Sequence, residues 1–147
     1  MISEVEIITH SAEESLQFGK KIAEKLSPGD VVAFYGGLGV GKTTMIKGMA
    51  RAFGIDSTEV SSPTFALIHE YPGVKTIYHI DLYRLDKKEE IAQLGLWELF
   101  DGEGISLVEW AEKGELFLPE RTIRVNIQSL GDNERKIVVQ QQSRGVG

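Results

Sequence analysis

With 147 residues, 41% of them hydrophobic, the chain is long enough to bury one good core and too short for two ordinary domains, so a single domain over 1–147 is expected. The absence of cysteine excludes disulfides, thiolate metal sites and a cysteine nucleophile, and accords with a reducing cytoplasm. Acidic residues outnumber basic ones 22 to 16, for a formal net charge of −6 without a basic stripe, which argues against a large nucleic-acid surface. No apolar run is long enough to cross a bilayer and residues 1–6 lack the order of a signal peptide, so a cytoplasmic protein without membrane contact is expected.

Val5–Thr9 alternates like a short strand, and Ser11-Ala12-Glu13-Glu14 has the form of a capping box. The helix it opens carries an apolar stripe of Leu16, Gly19, Ile22, Ala23 and Leu26 and is stopped by Pro28-Gly29-Asp30. The next run, Val31-Val32-Ala33-Phe34-Tyr35, reads as a strand. It leads into Gly36-Gly37-Leu38-Gly39-Val40-Gly41-Lys42-Thr43, which satisfies G-x-x-x-x-G-K-[ST] and is followed by a helix-like run from Thr43. Glycines in such a loop let successive backbone N–H groups turn inward, so that loop and helix N-terminus together form a cradle for anionic oxygens. Gly37, Leu38, Gly39, Val40, Gly41, Lys42, Thr43 and Thr44 are the candidate ATP-binding residues. Lys42 would bring a charge to the β- and γ-phosphates, and Thr43 a hydroxyl ligand for Mg²⁺.

Met45, Ile46, Met49, Ala50 and Phe53 repeat at helical spacing, with Gly54 as C-cap. The loop Ser61-Ser62-Pro63-Thr64-Phe65 falls where GTPases place a segment ordered by the γ-phosphate; Thr64 is either a nucleotide-sensing residue there or part of a Ser/Pro turn. Residues 65–71 and 76–81 read as two strands joined at Pro72-Gly73. Asp86-Lys87-Lys88-Glu89 is expected to cap a helix running to about residue 100. A short apolar run, 104–109, is suited to a strand covered on both faces and ends in Glu109. Alternation over 122–128 and 135–140 around Gly131-Asp132-Asn133 predicts a second hairpin closing one sheet edge, followed by a polar, Gly-rich tail, 141–147, expected to fray.

A phosphate loop needs a partner acid, because Mg²⁺ takes oxygen ligands and its waters must be oriented. Asp81 and Glu109 each end a predicted strand, and ligands meet open α/β sheets at the carboxyl ends of strands. Both are therefore candidate metal-serving and catalytic residues, together with Lys42. Glu109 would either ligate the metal, directly or through water, or orient the attacking water; the residues alone leave both open. Trp110, beside it, would shield the site or meet a partner if it is more than a packing residue. Tyr83 and Arg84 are read as a solvated element or a partner surface, with an arginine finger as the alternative. His10, His69 and His79 lack metal-like spacing; His79 shares a strand face with Asp81 and is placed to influence it.

Four ordered blocks, Gly-x-Leu-Gly-x-Gly-Lys-Thr-Thr at 36–44, Ser-Pro-Thr-Phe at 62–65, His-x-Asp-Leu-Tyr-Arg-Leu at 79–85 and Leu-Val-Glu-Trp-x-Glu at 107–112, resemble the TsaE (YjeE) family over about residues 5–140. The resemblance implies a three-layer α/β P-loop NTPase core, a mainly parallel sheet with antiparallel hairpin additions. It also implies a small bacterial ATPase that binds ATP and Mg²⁺ and supports threonylcarbamoyladenosine modification of tRNA through a complex of TsaD and TsaB, meeting tRNA only indirectly. Within it, Lys42 and Thr43 match the phosphate and magnesium residues, Asp81 the acid of the His-x-Asp block, and Glu109 and Trp110 the Glu-Trp pair. Gly37 departs from the acidic residue the family commonly has there, which leaves the phosphate cradle intact. No Asn-Lys-x-Asp guanine-reading motif occurs, which favours ATP; Thr9, His10, Ser11 and Arg135 are candidates for the adenine side. Two other functions are compatible with a phosphate loop: a small-molecule kinase, for which neither an arginine-bearing lid nor an acceptor pocket is evident, and a nucleotide-gated binding module.

Overall fold

Four parallel strands form the middle of the sheet in the computed structural model, which describes residues 4–37, 39–60 and 68–141. The strands are β1 (Val5–Thr9), β2 (Val31–Tyr35), β3 (Ile68–Tyr71), β4 (Ile77–Asp81), β5 (Ile105–Glu109), β6 (Ile123–Ser129) and β7 (Arg135–Gln141), in the order β1-β7-β6-β2-β5-β4-β3. Pairing is parallel across β6, β2, β5 and β4, and antiparallel at β3–β4, β6–β7 and β1–β7. Hairpins thus extend a parallel centre on both sides, as the sequence predicts.

The helices are α1 (Ala12–Ala23), α2 (Lys42–Ala52), α3 (Lys88–Ala92) and α4 (Leu96–Asp101). Strand alternation sends Val32 and Phe34 into a core with Ile22, Met45 and Met49 of α1 and α2. Val31 and Ala33 face the other way, toward Ile91, Leu96 and Phe100. Helices on both faces make three layers, and every residue of β5 is buried, as a strand covered on both faces requires. On the first face, α1 and α2 touch backbone to backbone. A Cβ at Gly48 would stand 1.9 Å from the Leu16 carbonyl oxygen, and one at Gly19 would stand 2.4 Å from that of Met45.

Three local expectations are corrected. The β6–β7 hairpin does not close an edge: β6 lies against β2, and β1 adds on outside β7. The helix expected from Asp86 to about residue 100 is two helices, because Gly95 is left-handed at φ 71° and interrupts the ladder; the N-cap of the first is Lys87, whose N–H is accepted by Glu90. At α1, Ser11 caps by accepting from the Glu14 N–H at 3.1 Å, but the Glu14 carboxylate reaches past the cap to the His10 N–H, so only half of a capping box forms. Leu38, the loop carrying Thr64, the start of the strand expected at 65–71, and residues 142–147 lie outside the described residues. Among the described residues no helix is long and apolar enough to cross a membrane.

Candidate functional site

The loop after β2 and the ends of β4 and β5 meet at the carboxyl side of the parallel strands, where open α/β sheets hold ligands. Register places Asp81 opposite Glu109 on adjacent strands and Phe34 opposite Glu109 on the other side, so Glu109 stands beside the strand that feeds the loop and Asp81 one strand further out. Between β2 and α2, Gly36, Gly39 and Gly41 all have positive φ; at Gly36 a side chain would also collide with the Ile127 carbonyl oxygen and Val40. Gly37 is different: a Cβ there meets nothing within 4 Å, so the position has room for a side chain.

One cleft is lined by residues 39–44 of this loop and helix with Asp81, Glu109 and Trp110. Lys42, only 5% exposed, donates from Nζ to the Gly36 carbonyl at 2.8 Å and lies 3.8 Å from the centroid of the Trp110 ring. Burial pulls its pKa below the ordinary lysine value, while the carboxylates of Glu109, Glu112 and Asp81 oppose that shift. Trp110 occupies the left-handed region at φ 57°, which turns the chain sharply after Glu109 into the 3-10 segment Ala111–Phe117. The Tyr83 ring leans on the Trp110 ring at 4.8 Å, and Lys113 Nζ donates to the Tyr83 carbonyl. Asp81 is buried and accepts from the Tyr83 N–H at 2.8 Å, a turn that fixes its carboxylate at the strand end.

A second recess adjoins the first across Gly39, Val40, Gly41 and Thr44, and is walled by Ser11, Ala12 and Ser15 on one side and Asp132, Asn133 and Arg135 on the other. Arg135 ties the β6–β7 turn to the loop, donating to the Val40 carbonyl at 3.0 Å and to that of Gly131 at 2.8 Å. Together the two recesses make an elongated depression with the glycine-rich loop in its floor.

A family model described as threonylcarbamoyl adenosine biosynthesis protein TsaE matches residues 9–137. The chain belongs to the TsaE family. The family's role lies in the biosynthesis of threonylcarbamoyladenosine in tRNA. Among TsaE proteins, that of Bacillus subtilis is 45% identical over 130 residues, covering 88% of this chain and 80% of the relative, and that of Haemophilus influenzae is 42% identical over 136 residues, covering 88% and 85%. The TsaE of Treponema pallidum is 37% identical over 132 residues, covering 90% of this chain and 97% of the relative. A crystal structure of Bacillus subtilis YdiB superposes with a TM-score of 0.81 at 38% identity, over 97% of this chain and 88% of that one.

In this member of the TsaE family the structure brings Lys42, Thr43, Thr44, Asp81, Glu109 and Trp110 to one cleft, and Ser11 and Arg135 to the adjoining recess. Thr9 and His10 line neither: Thr9 is buried with its hydroxyl 2.7 Å from that of Ser15, and His10 is exposed against Glu14. Tyr83 reaches the site through Trp110, whereas Arg84 is exposed and lines neither recess. Sequence reasoning missed Ser15, Asp132 and Asn133, which become neighbours of the loop only once β1, β7 and α1 are assembled. It also did not foresee the partner of His79. The ring nitrogen Nε2 meets Glu109 Oε2 at 2.5 Å, an inter-strand contact that spacing along the chain does not reveal.

Proposed function

We propose that this chain is an ATP hydrolase, slow alone and accelerated by a TsaB–TsaD complex, through which it supports the tRNA modification and meets tRNA only indirectly. The observation that carries the reading is the convergence of Lys42, Thr43, Asp81 and Glu109 on one cleft floored by a glycine-rich loop. Backbone N–H groups of the loop and the start of α2 would cradle the phosphates, and Lys42 would exchange the Gly36 carbonyl for phosphate oxygens. The recess walled by Ser11, Ser15 and Arg135 would take the nucleoside end.

The side-chain oxygens at the cleft are the hydroxyls of Thr43 and Thr44 and the carboxylates of Asp81 and Glu109, all hard donors, which suits Mg²⁺. Among the described residues no cluster of three or more His, Cys, Asp or Glu is placed to hold a metal unaided, so the fit is to an ion shared with phosphate oxygens and water. Thr43 would be its hydroxyl ligand, with Asp81 and Glu109 meeting it directly or through water. Bound Mg²⁺ would neutralise charge developing on the phosphates. Glu109, 4% exposed, is placed to orient the attacking water. Trp110 and the half-exposed Tyr83 form one surface continuous with the cleft, through which a bound partner would act on Lys42. The test is ATP turnover by the chain alone and with purified TsaB–TsaD; equal rates in the two conditions overturn the partner-stimulated reading.

A further inference from the structure

Glu109 has three rotatable side-chain bonds, and a catalytic carboxylate left loose must be immobilised again at each turnover. His79 removes part of that freedom. It lies on β4 opposite Leu107 of β5, one pleat behind Glu109 on the same face of the sheet. Its imidazole has no solvent exposure, and its Nε2 stands 2.5 Å from Glu109 Oε2. The ring sits beside Tyr71, centroid to centroid 6.2 Å, and Nδ1 has no hydrogen-bond partner among the described residues. An imidazole buried with one nitrogen unsatisfied carries a desolvation penalty that an apolar ring of the same shape avoids. Packing alone therefore does not account for a histidine here, and its one hydrogen bond among the described residues is to the acid that lines the cleft.

We propose that His79 is a positioning residue: it engages Oε2 of Glu109, so that Oε1 is the single oxygen presented to the attacking water or the metal. This rests on the ATPase reading above and adds to it which residue aims the acid. Partners that orient a metal-site or catalytic group typically contribute about tenfold to a hundredfold to activity without touching the substrate.

The experiment uses the full chain with TsaB–TsaD and reads three quantities: kcat, affinity for a fluorescent ATP analogue with Mg²⁺, and melting temperature. Gln places an amide N–H near where Nε2 stands, and Asn places one near Nδ1. H79Q is therefore expected to keep kcat within about threefold of the unsubstituted chain, while H79N and H79F lose about tenfold or more with affinity little changed. In an E109Q background H79F is expected to lower kcat no further, because the group it aims is already disabled. The proposal is overturned if H79N and H79Q turn over alike, if kcat and affinity fall together in step with melting temperature, or if the H79F and E109Q effects multiply. Should H79F not fold, the Gln and Asn pair decides alone. Absence of turnover by the unsubstituted chain would instead overturn the ATPase reading, and the control shows it before any variant is measured.

Discussion

Lys42 rests its ammonium 3.8 Å from the centroid of the Trp110 ring, so the cation that would meet phosphate is held beneath an aromatic lid that hangs on the last residue of β5. A second contact, the hydrogen bond to the Gly36 carbonyl, anchors it to its own loop. Phosphate in the cleft would draw the ammonium away from the ring.

Trp110 should therefore report the movement. Trp97 is 59% exposed and is the other tryptophan, so Trp97→Phe leaves Trp110 as the single emitter. Addition of ATP and Mg²⁺ to that variant is expected to change its emission as the cation leaves the ring face. Unchanged emission at saturating nucleotide, with binding verified independently, would show that Lys42 stays under Trp110.

Replacing Lys42 with alanine removes the charge offered to the phosphates, and ATP affinity should fall about tenfold or more with turnover lost. Thr43→Ala should behave differently, losing affinity in Mg²⁺ and little in EDTA, since its hydroxyl is assigned to the ion. Equal losses in both conditions would remove Thr43 from the metal's ligands.

The two acids should separate binding from chemistry. Glu109→Gln keeps shape and removes charge, so ATP should bind while single-turnover hydrolysis falls about a hundredfold or more. Asp81→Asn should show the same split with a raised Mg²⁺ requirement, and the double variant should lose less than the product of the single losses because both residues serve one centre. Full activity in Glu109→Gln would exclude it as the water-orienting group.

A pH-dependent prediction comes from Glu115, in the segment after Trp110. Burial pushes its carboxyl up, but the hydrogen bonds from Tyr35 at 2.5 Å and from Arg124 outweigh that and leave it below the ordinary value of 4.5. A depressed folded pKa stabilises above the unfolded value and is lost as pH falls through the folded one. Glu115 is half exposed, so Glu115→Gln should cost only about 1 kcal/mol at neutral pH, or about 2–4 °C in Tm, with the gap closing below about pH 4.5. Melting curves from about pH 7 to 3.5 decide it, and a gap that stays constant would contradict the assignment.

Much of the fold can be read along the chain because its signals are local. The β2–loop–α2 unit has a spacing motif, β5 is a short, largely apolar run ending in Glu109, and the hairpins alternate around turn residues. Gly95 shows where local reading fails: the residues on either side of it over 88–101 carry a helical pattern, a lone glycine within such a pattern is often tolerated, and here it turns left-handed and divides the run. At the site, Lys42 stands out because it opens α2 within the loop motif, and Asp81 and Glu109 because each closes a strand. The His79–Glu109 contact, the roof that Trp110 makes over Lys42, and the wall at Asp132 and Asn133 depend on which strands become neighbours, and that is decided by the whole core.

Gly48 belongs to no motif and lines neither recess, yet its bare backbone against the Leu16 carbonyl works as a gauge block for the candidate site. The helix on one side of that seam starts at the loop, and the helix on the other begins with the serines of the adjoining recess. Side chains in a core can change rotamer to absorb a change in volume, but two touching backbones have nothing to rearrange. The gap between the two recesses is thus a fixed dimension of the scaffold, and substitutions along their walls would change chemistry without altering its width.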